Sequence, residues 1–245
     1  DRRTKLPRSL VEALARTTSL AQQEWIAARK NSDFESFRPR LEQVLELKRQ
    51  ESRCLHETVM RERRAASKSA HPEDAPAPDA GATLYDPLLD QYEPGAETAR
   101  LRVLFEALRQ ELSPFVREID EASRKRESRA GRAKTSILER SYPVDRQRML
   151  GESAAAALGF DFERGRLDVS AHPFCTGIGP GDVRATTRFD AHQFSDAFFG
   201  VLHEVGHGLY EQGLPVEQYG APAGEAVSLG VHESQSRLSE NAVGR

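Results

Sequence analysis

The sequence predicts a mainly α fold carrying one small antiparallel β element beside its central helix. Three observations predict it. Apolar residues recur at helical spacing over most of the 245 residues. Alternation with a period of two is confined to the stretch 167–189. Gly- and Pro-rich punctuation falls between these segments, and no internal repeat is present.

Taken in order, residues 8–30 and 34–66 read as two long helices joined near Asn31-Ser32-Asp33. Leu41, Val44, Leu45 and Lys48 give the second a narrow stripe. The stretch 65–83 reads as a linker-like loop because of its Pro, Ala and Gly content, and His71 is a loop residue within it. Residues 97–127 form another long helix, with Leu101, Leu104, Phe105, Leu108 and Leu112 spaced as a core face. The basic run over 124–134 reads as a solvated face or loop. A shorter helix covers 143–158, with Pro143 near its first turn, where a missing N–H costs nothing. Leu167–Ser170 and Val183–Phe189 then alternate in side-chain type around the turn cluster Gly177-Ile178-Gly179-Pro180-Gly181, predicting a small antiparallel hairpin.

The next helix has Asp190 followed by Gln193, a capping-box pattern, and a buried stripe of Phe194, Phe198, Val201 and Val205. Gly213 and Pro215 stop it. Its opposite face carries His203, His207 and Glu211, with Gly206 and Gly208 keeping the surface thin enough for other backbone to approach. Two such glycines cost a helix about 2 kcal/mol relative to alanine. Residues 225–241 read as a further helix.

Composition narrows the function. The 35 basic and 38 acidic residues give a net charge of −3, with no basic face dominant enough for nucleic acid. Hydrophobic content of 38% supports a core but leaves extensive exposed helix surface. Cys54 and Cys175 match neither a disulfide framework nor a metal clip, so free thiols in a reducing compartment are expected. The opening residues carry no apolar leader and no run approaches a membrane span, so the cytoplasm is the expected location.

The chemistry concentrates in His203-Glu204-Val205-Gly206-His207. Histidines four apart lie on one helical face and can reach a single metal ion, with the intervening glutamate placed to take a proton from activated water. A hydrolytic zinc site takes three protein ligands and keeps one position open. The third must come from another element, and Glu225, His232, Glu233 and Glu240 are the candidates. For Glu233 the competing reading is an ion pair with Arg237 one turn on.

The run Leu202–Gly213, followed by His232–Leu238, resembles the carboxypeptidase Taq family of zinc metallocarboxypeptidases. His172-Pro173-Phe174, Asp182–Thr186 and Tyr85–Gly95 agree with that family's upstream signatures, as does the stretch around Trp25, Ala28-Arg29 and Asp33-Phe34. The resemblance implies a zincin-like helical metallopeptidase fold, with residues 1–245 as part of one domain and 165–245 as its metal-site region. It implies His203, His207 and Glu233 as zinc ligands, Glu204 as general base, and removal of C-terminal amino acids from peptides. Cobalt is a possible substitute at the same ligands. A homodimer is the expected assembly. Candidate substrate-binding residues are His172, Arg184 and His232, with Arg184 or Arg188 offering a guanidinium to a substrate carboxylate.

The departures also matter. Family members run to about twice this length. Two later family segments, Ile-Arg-x-x-Ala-Asp and Gly-x-x-Gln-Asp-x-His-Trp, have no counterpart, and Ser239 stands where the family carries tryptophan, implying looser packing. The sequence is therefore expected to be a piece of a longer enzyme, weakly active alone. Two rival readings are an endopeptidase with the same metal chemistry and a catalytically dead helical module with a structural zinc.

Overall fold

The structure is a computed structural model describing residues 2–69, 82–130, 136–137 and 140–243. It is mainly helical with one three-stranded sheet, and it divides into two compact units, Asp1–Ile119 and Asp120–Arg245. Among the described residues no helix is long and apolar enough to cross a membrane.

The first unit is built on a helical hairpin of α1 (Arg8–Asn31) and α2 (Phe34–Ser69). Ser32 ends α1 in the left-handed conformation at φ 53°, and the Asp33 N–H donates to the Ala28 carbonyl. Asp33 then caps α2 by accepting from the Ser36 N–H at 3.2 Å. Arg40 meets Glu24 across the turn at 2.7 Å, which sets the two helices antiparallel. The buried seam runs through Leu10, Ala21 and Ala28 on α1 and Leu55, Val59 and Met60 on α2. Leu45, expected in the stripe, is 46% exposed because the seam passes it on the Val44 side. Residues 65–69, expected in the linker, are the last turns of α2, and 70–81, including His71, lie outside the described residues.

Past that gap, the Tyr85–Gly95 signature is a folding device. The short α3 (Asp86–Leu89) buries Asp86 and Asp90 almost completely. Asp86 accepts from the Thr98 N–H at 2.7 Å, from the Thr83 backbone and hydroxyl, and faces Arg63 of α2 at 3.4 Å. Asp90 accepts from the Gly95 N–H at 3.0 Å, where φ of +83° favours glycine. Burial pushes the Asp86 carboxyl up, but the bonds from Thr98 and Thr83 outweigh it and hold the group below the usual aspartate range.

From Thr98 to Ala130 the chain forms α4, which spans the boundary between the units. Its apolar spacing is as expected, yet Leu104, Phe105, Leu108 and Leu112 are exposed rather than core. The basic residues up to Arg129 lie on this helix, and 131–135 fall outside the described residues.

After the end of α4, the second unit continues with α5 (Val144–Leu158), entered at Pro143 and closed by Gly159 at φ +101°. Strands β1 (Gly165–Val169), β2 (Cys175–Gly179) and β3 (Asp182–Thr187) follow, in the order β1-β3-β2. A small antiparallel element does sit beside the central helix, but its strands are β2 and β3. The expected partner, β1, pairs with β3 in parallel. The glycine cluster read as a turn supplies β2 itself, and the reversal narrows to Pro180-Gly181, with Gly181 at φ +71°. Val183, Ala185 and Thr187 turn inward onto α6 (Phe194–Gln212), where Val201 and Val205 complete a core with Ala155, Phe160 and Leu167.

Replacing Asp86 by Asn removes the nearer of the two buried carboxylates that Arg63 faces, leaving Asp90 at 3.7 Å, and a loss of about 1–3 kcal/mol in unfolding free energy is expected. In the native chain the Asp86 contribution is fully present above the ordinary aspartate range and fades as pH falls through its lowered value. Urea unfolding of the two proteins at neutral and acid pH checks both statements.

Candidate metal centre

Helix α6 presents the first two candidate donors. Val201 and Val205 anchor one face in the core, so His203 and His207 emerge half-buried on the other, their rings 5.0 Å apart. The helix begins later than expected. Asp190 accepts from the His192 N–H in a local turn, and Gln193 flanks the first residue without a side-chain cap, so the capping box does not form.

The third candidate donor arrives on α7 (Leu229–Arg237). Residues 225–228, expected to be helical, are not. Ser228 caps α7 by accepting from the Val231 N–H at 3.1 Å, and a π-helical turn over Leu238–Val243 continues beyond it. The two helices meet at Gly206. A Cβ there would lie 2.6 Å from the Gln235 carbonyl oxygen and 2.7 Å from the Ser236 Cα. Ser239 is buried and closes on the same glycine, so the packing there is tight rather than loose. Gly208 has a different neighbour, the Phe160 ring, at 2.6 Å from its would-be Cβ.

This contact brings Glu233 Oε2 to 3.7 Å from His203 Nε2 and 3.3 Å from His207 Nε2. Tetrahedral zinc with bonds of about 2.0–2.1 Å separates neighbouring donors by about 3.3 Å. Ligand atoms of His203, His207 and Glu233 all lie within 4.8 Å of one another, so the set fits a divalent cation. The other Glu233 oxygen, Oε1, accepts from Arg237 at 2.9 Å. The ion pair with Arg237 that the sequence offered is thus present, and it leaves the other oxygen facing both imidazoles.

Electrostatics agree with that chemistry. Burial first, then the His232 and His203 charges, lower the His207 pKa and favour its neutral, ligating form. Burial works to raise Glu233, but His203 and the Arg237 bond prevail and keep it below the usual carboxylate range. Glu204 is 6% exposed, and burial, followed by the Glu233 charge, pushes it up to about 7. A carboxylate poised near neutrality suits proton transfer in both directions. Cys175 is pushed up to about 12 by burial and by Glu204 and Glu211, so it is an inert thiol.

A cleft of about 890 Å³ opens over these groups, lined by β2, both histidines, Glu204, Glu233 and the connector between α6 and α7. His172 and His232 line it too. Arg184 is not in its lining and pairs with Asp182 at 2.8 Å. Sequence reading placed Glu211 on the histidine face without a role and counted Glu240 only among the candidate third ligands. Glu211 contacts His232 at 2.7 Å and Glu240 contacts His203 at 3.1 Å. The signal for Glu211 was its place one turn beyond His207 on the same face.

Helices meeting over paired histidines and a carboxylate define a centre of the metallopeptidase type. The sequence profile of the carboxypeptidase Taq (M32) metallopeptidases matches residues 1–63 and 68–245, and the chain belongs to that family. It is 43% identical to thermostable carboxypeptidase 1 of Thermus thermophilus, over 100% of this chain and 44% of that protein. Carboxypeptidase 1 of Bacillus subtilis is 34% identical, over 98% of this chain and 42% of its own. Among solved structures, the M32 carboxypeptidase of Deinococcus radiodurans superposes with a TM-score of 0.72 at 34% identity, covering 98% of this chain and 42% of that one. The chain therefore spans less than half the length of the curated relatives it matches.

Gly206→Ala is expected to push α7 off α6, destabilising the protein by about 1–3 kcal/mol. It should also weaken zinc binding, because the displacement carries Glu233 away from both imidazoles. Thermal unfolding together with chelator competition measures the two effects.

Proposed function

We propose that the full-length protein is a zinc-dependent carboxypeptidase that removes C-terminal amino acids from peptides, with His203, His207 and Glu233 as metal ligands and Glu204 as general base. The observation that carries this reading is the placement of one Glu233 oxygen against both Nε2 atoms, at 3.3 and 3.7 Å, beside a buried carboxyl near neutrality. Zinc, or cobalt in its place, would supply Lewis-acid activation of water and of the scissile carbonyl. Glu204 takes the proton from the attacking water and returns it to the leaving amine.

Strand β2 is one edge of the sheet, and Cys175, Thr176, Gly177 and Gly179 line the cleft, so an extended peptide can be aligned there by main-chain hydrogen bonds. His172 is exposed and lines the cleft, where it can meet substrate. Arg184 would first have to leave Asp182. The reading extends to a homodimer in the cytoplasm, in keeping with the free Cys54 and Cys175.

Glu204→Gln in the full-length protein is expected to retain zinc while kcat falls by about 10²–10⁴-fold. A peptide with a free C-terminal carboxylate should be cleaved, and its C-terminal amide spared. Full activity of the variant would remove Glu204 from the base role. Internal cleavage of the amide would assign an endopeptidase instead.

A further inference from the structure

The histidine nitrogens that face away from Glu233 are all engaged, and their partners form two separate chains. His203 Nδ1 lies 3.1 Å from Glu240 Oε2, and Glu240 is 13% exposed. His207 Nδ1 lies 2.5 Å from His232 Nδ1, and His232 Nε2 lies 2.7 Å from Glu211 Oε1. His232 is buried, held between the His207 and Tyr210 rings at 4.6 and 5.2 Å between centroids.

One assignment of protons satisfies every one of these contacts with neutral rings. His203 carries its proton on Nδ1 and donates to Glu240. His207 carries its proton on Nδ1 and donates to the bare Nδ1 of His232. His232 then carries its proton on Nε2 and donates to Glu211. The result leaves the lone pair of Nε2 free on both His203 and His207, the atoms that face Glu233. A neutral histidine donates from one nitrogen only, so the partner of one nitrogen dictates what the other can do.

We infer that Glu240 and the Glu211–His232 pair are positioning residues that fix the tautomer and ring orientation of the two histidines. The inference rests on the reading of His203, His207 and Glu233 as metal ligands. Glu240 acts directly on His203, whereas Glu211 acts through His232 on His207. Arg237 ties the first arm to the third donor, reaching Glu240 Oε2 at 3.0 Å and Glu233 Oε1 at 2.9 Å. His232 thereby gains a role other than the substrate contact considered for it.

The test compares wild type, Glu240→Ala, Glu240→Gln, Glu211→Ala and His203→Ala in the full-length protein. Zinc affinity is measured by competition with a chromophoric chelator, and histidine tautomers of the chelator-treated protein by ¹⁵N NMR. Glu240→Ala and Glu211→Ala should each weaken zinc binding about 10–100-fold. Glu240→Gln, which keeps an acceptor oxygen, should recover most of the loss. The Nδ1–H signature of His203 should be present in wild type and lost in Glu240→Ala. Far-UV circular dichroism separates this from unfolding, and the wild-type tautomer decides the matter even if a variant fails to fold. Wild-type His203 protonated on Nε2, or wild-type affinity in a folded Glu240→Ala, overturns the inference. If His203→Ala itself bound zinc like wild type, the metal-site reading would fail instead.

Discussion

A missing side chain governs the geometry of this site. At Gly206 the backbone of α7 comes closer to α6 than any Cβ would permit, with the Gln235 carbonyl and Ser236 Cα both within 2.7 Å of where one would stand. Glu233 lies two residues before Gln235 on α7. The depth of that crossing therefore decides whether its carboxylate reaches two imidazoles held by a different helix. Alanine would be the better helix former here. The glycine gives up helical stability for interhelical distance, and the fully buried Ser236 shows how completely the gap is filled.

Around that crossing, Glu233 and Glu240 each serve two neighbours. Glu233 gives one oxygen to Arg237 and directs the other at the histidines. Such division answers a common ambiguity. A glutamate four residues from an arginine on a helix reads equally well as a solvated ion pair and as a ligand. Here the ion pair orients the carboxylate rather than competing for it. The charges also balance locally, with the arginine offsetting two acids that would otherwise crowd one another.

Much of the architecture was legible in the sequence, and the reasons are local. The α1–α2 hairpin follows from periodic apolar residues and from Ser32-Asp33, which both ends and restarts a helix. The valine stripe of α6 faces the core as its spacing demands, and the histidines emerge opposite. What was not legible depends on partners distant in sequence. Nothing in the residues of β1 says that β3 would accept it in parallel while taking β2 on its other side. The start of α7 was misjudged because Ser228, a capping residue, lies inside a run with no clear break. The apolar face of α4 has core spacing, but spacing reports only that a face is apolar, not what covers it. Glu240 and Glu211 were invisible as partners because only the crossing at Gly206 brings α7 and its π-helical extension onto the histidines.

The residues proposed for chemistry and those that shape the cleft occupy different kinds of backbone. Donors and the general base sit on regular helices, whereas one wall of the cleft, including Leu214, Val216, Tyr219 and Glu225, belongs to the irregular connector between α6 and α7. Loops accept insertion and substitution more readily than packed helices do. On the reading proposed above, exchange of this short stretch would reshape the cleft wall while leaving the two histidines and Glu233 on their own helices.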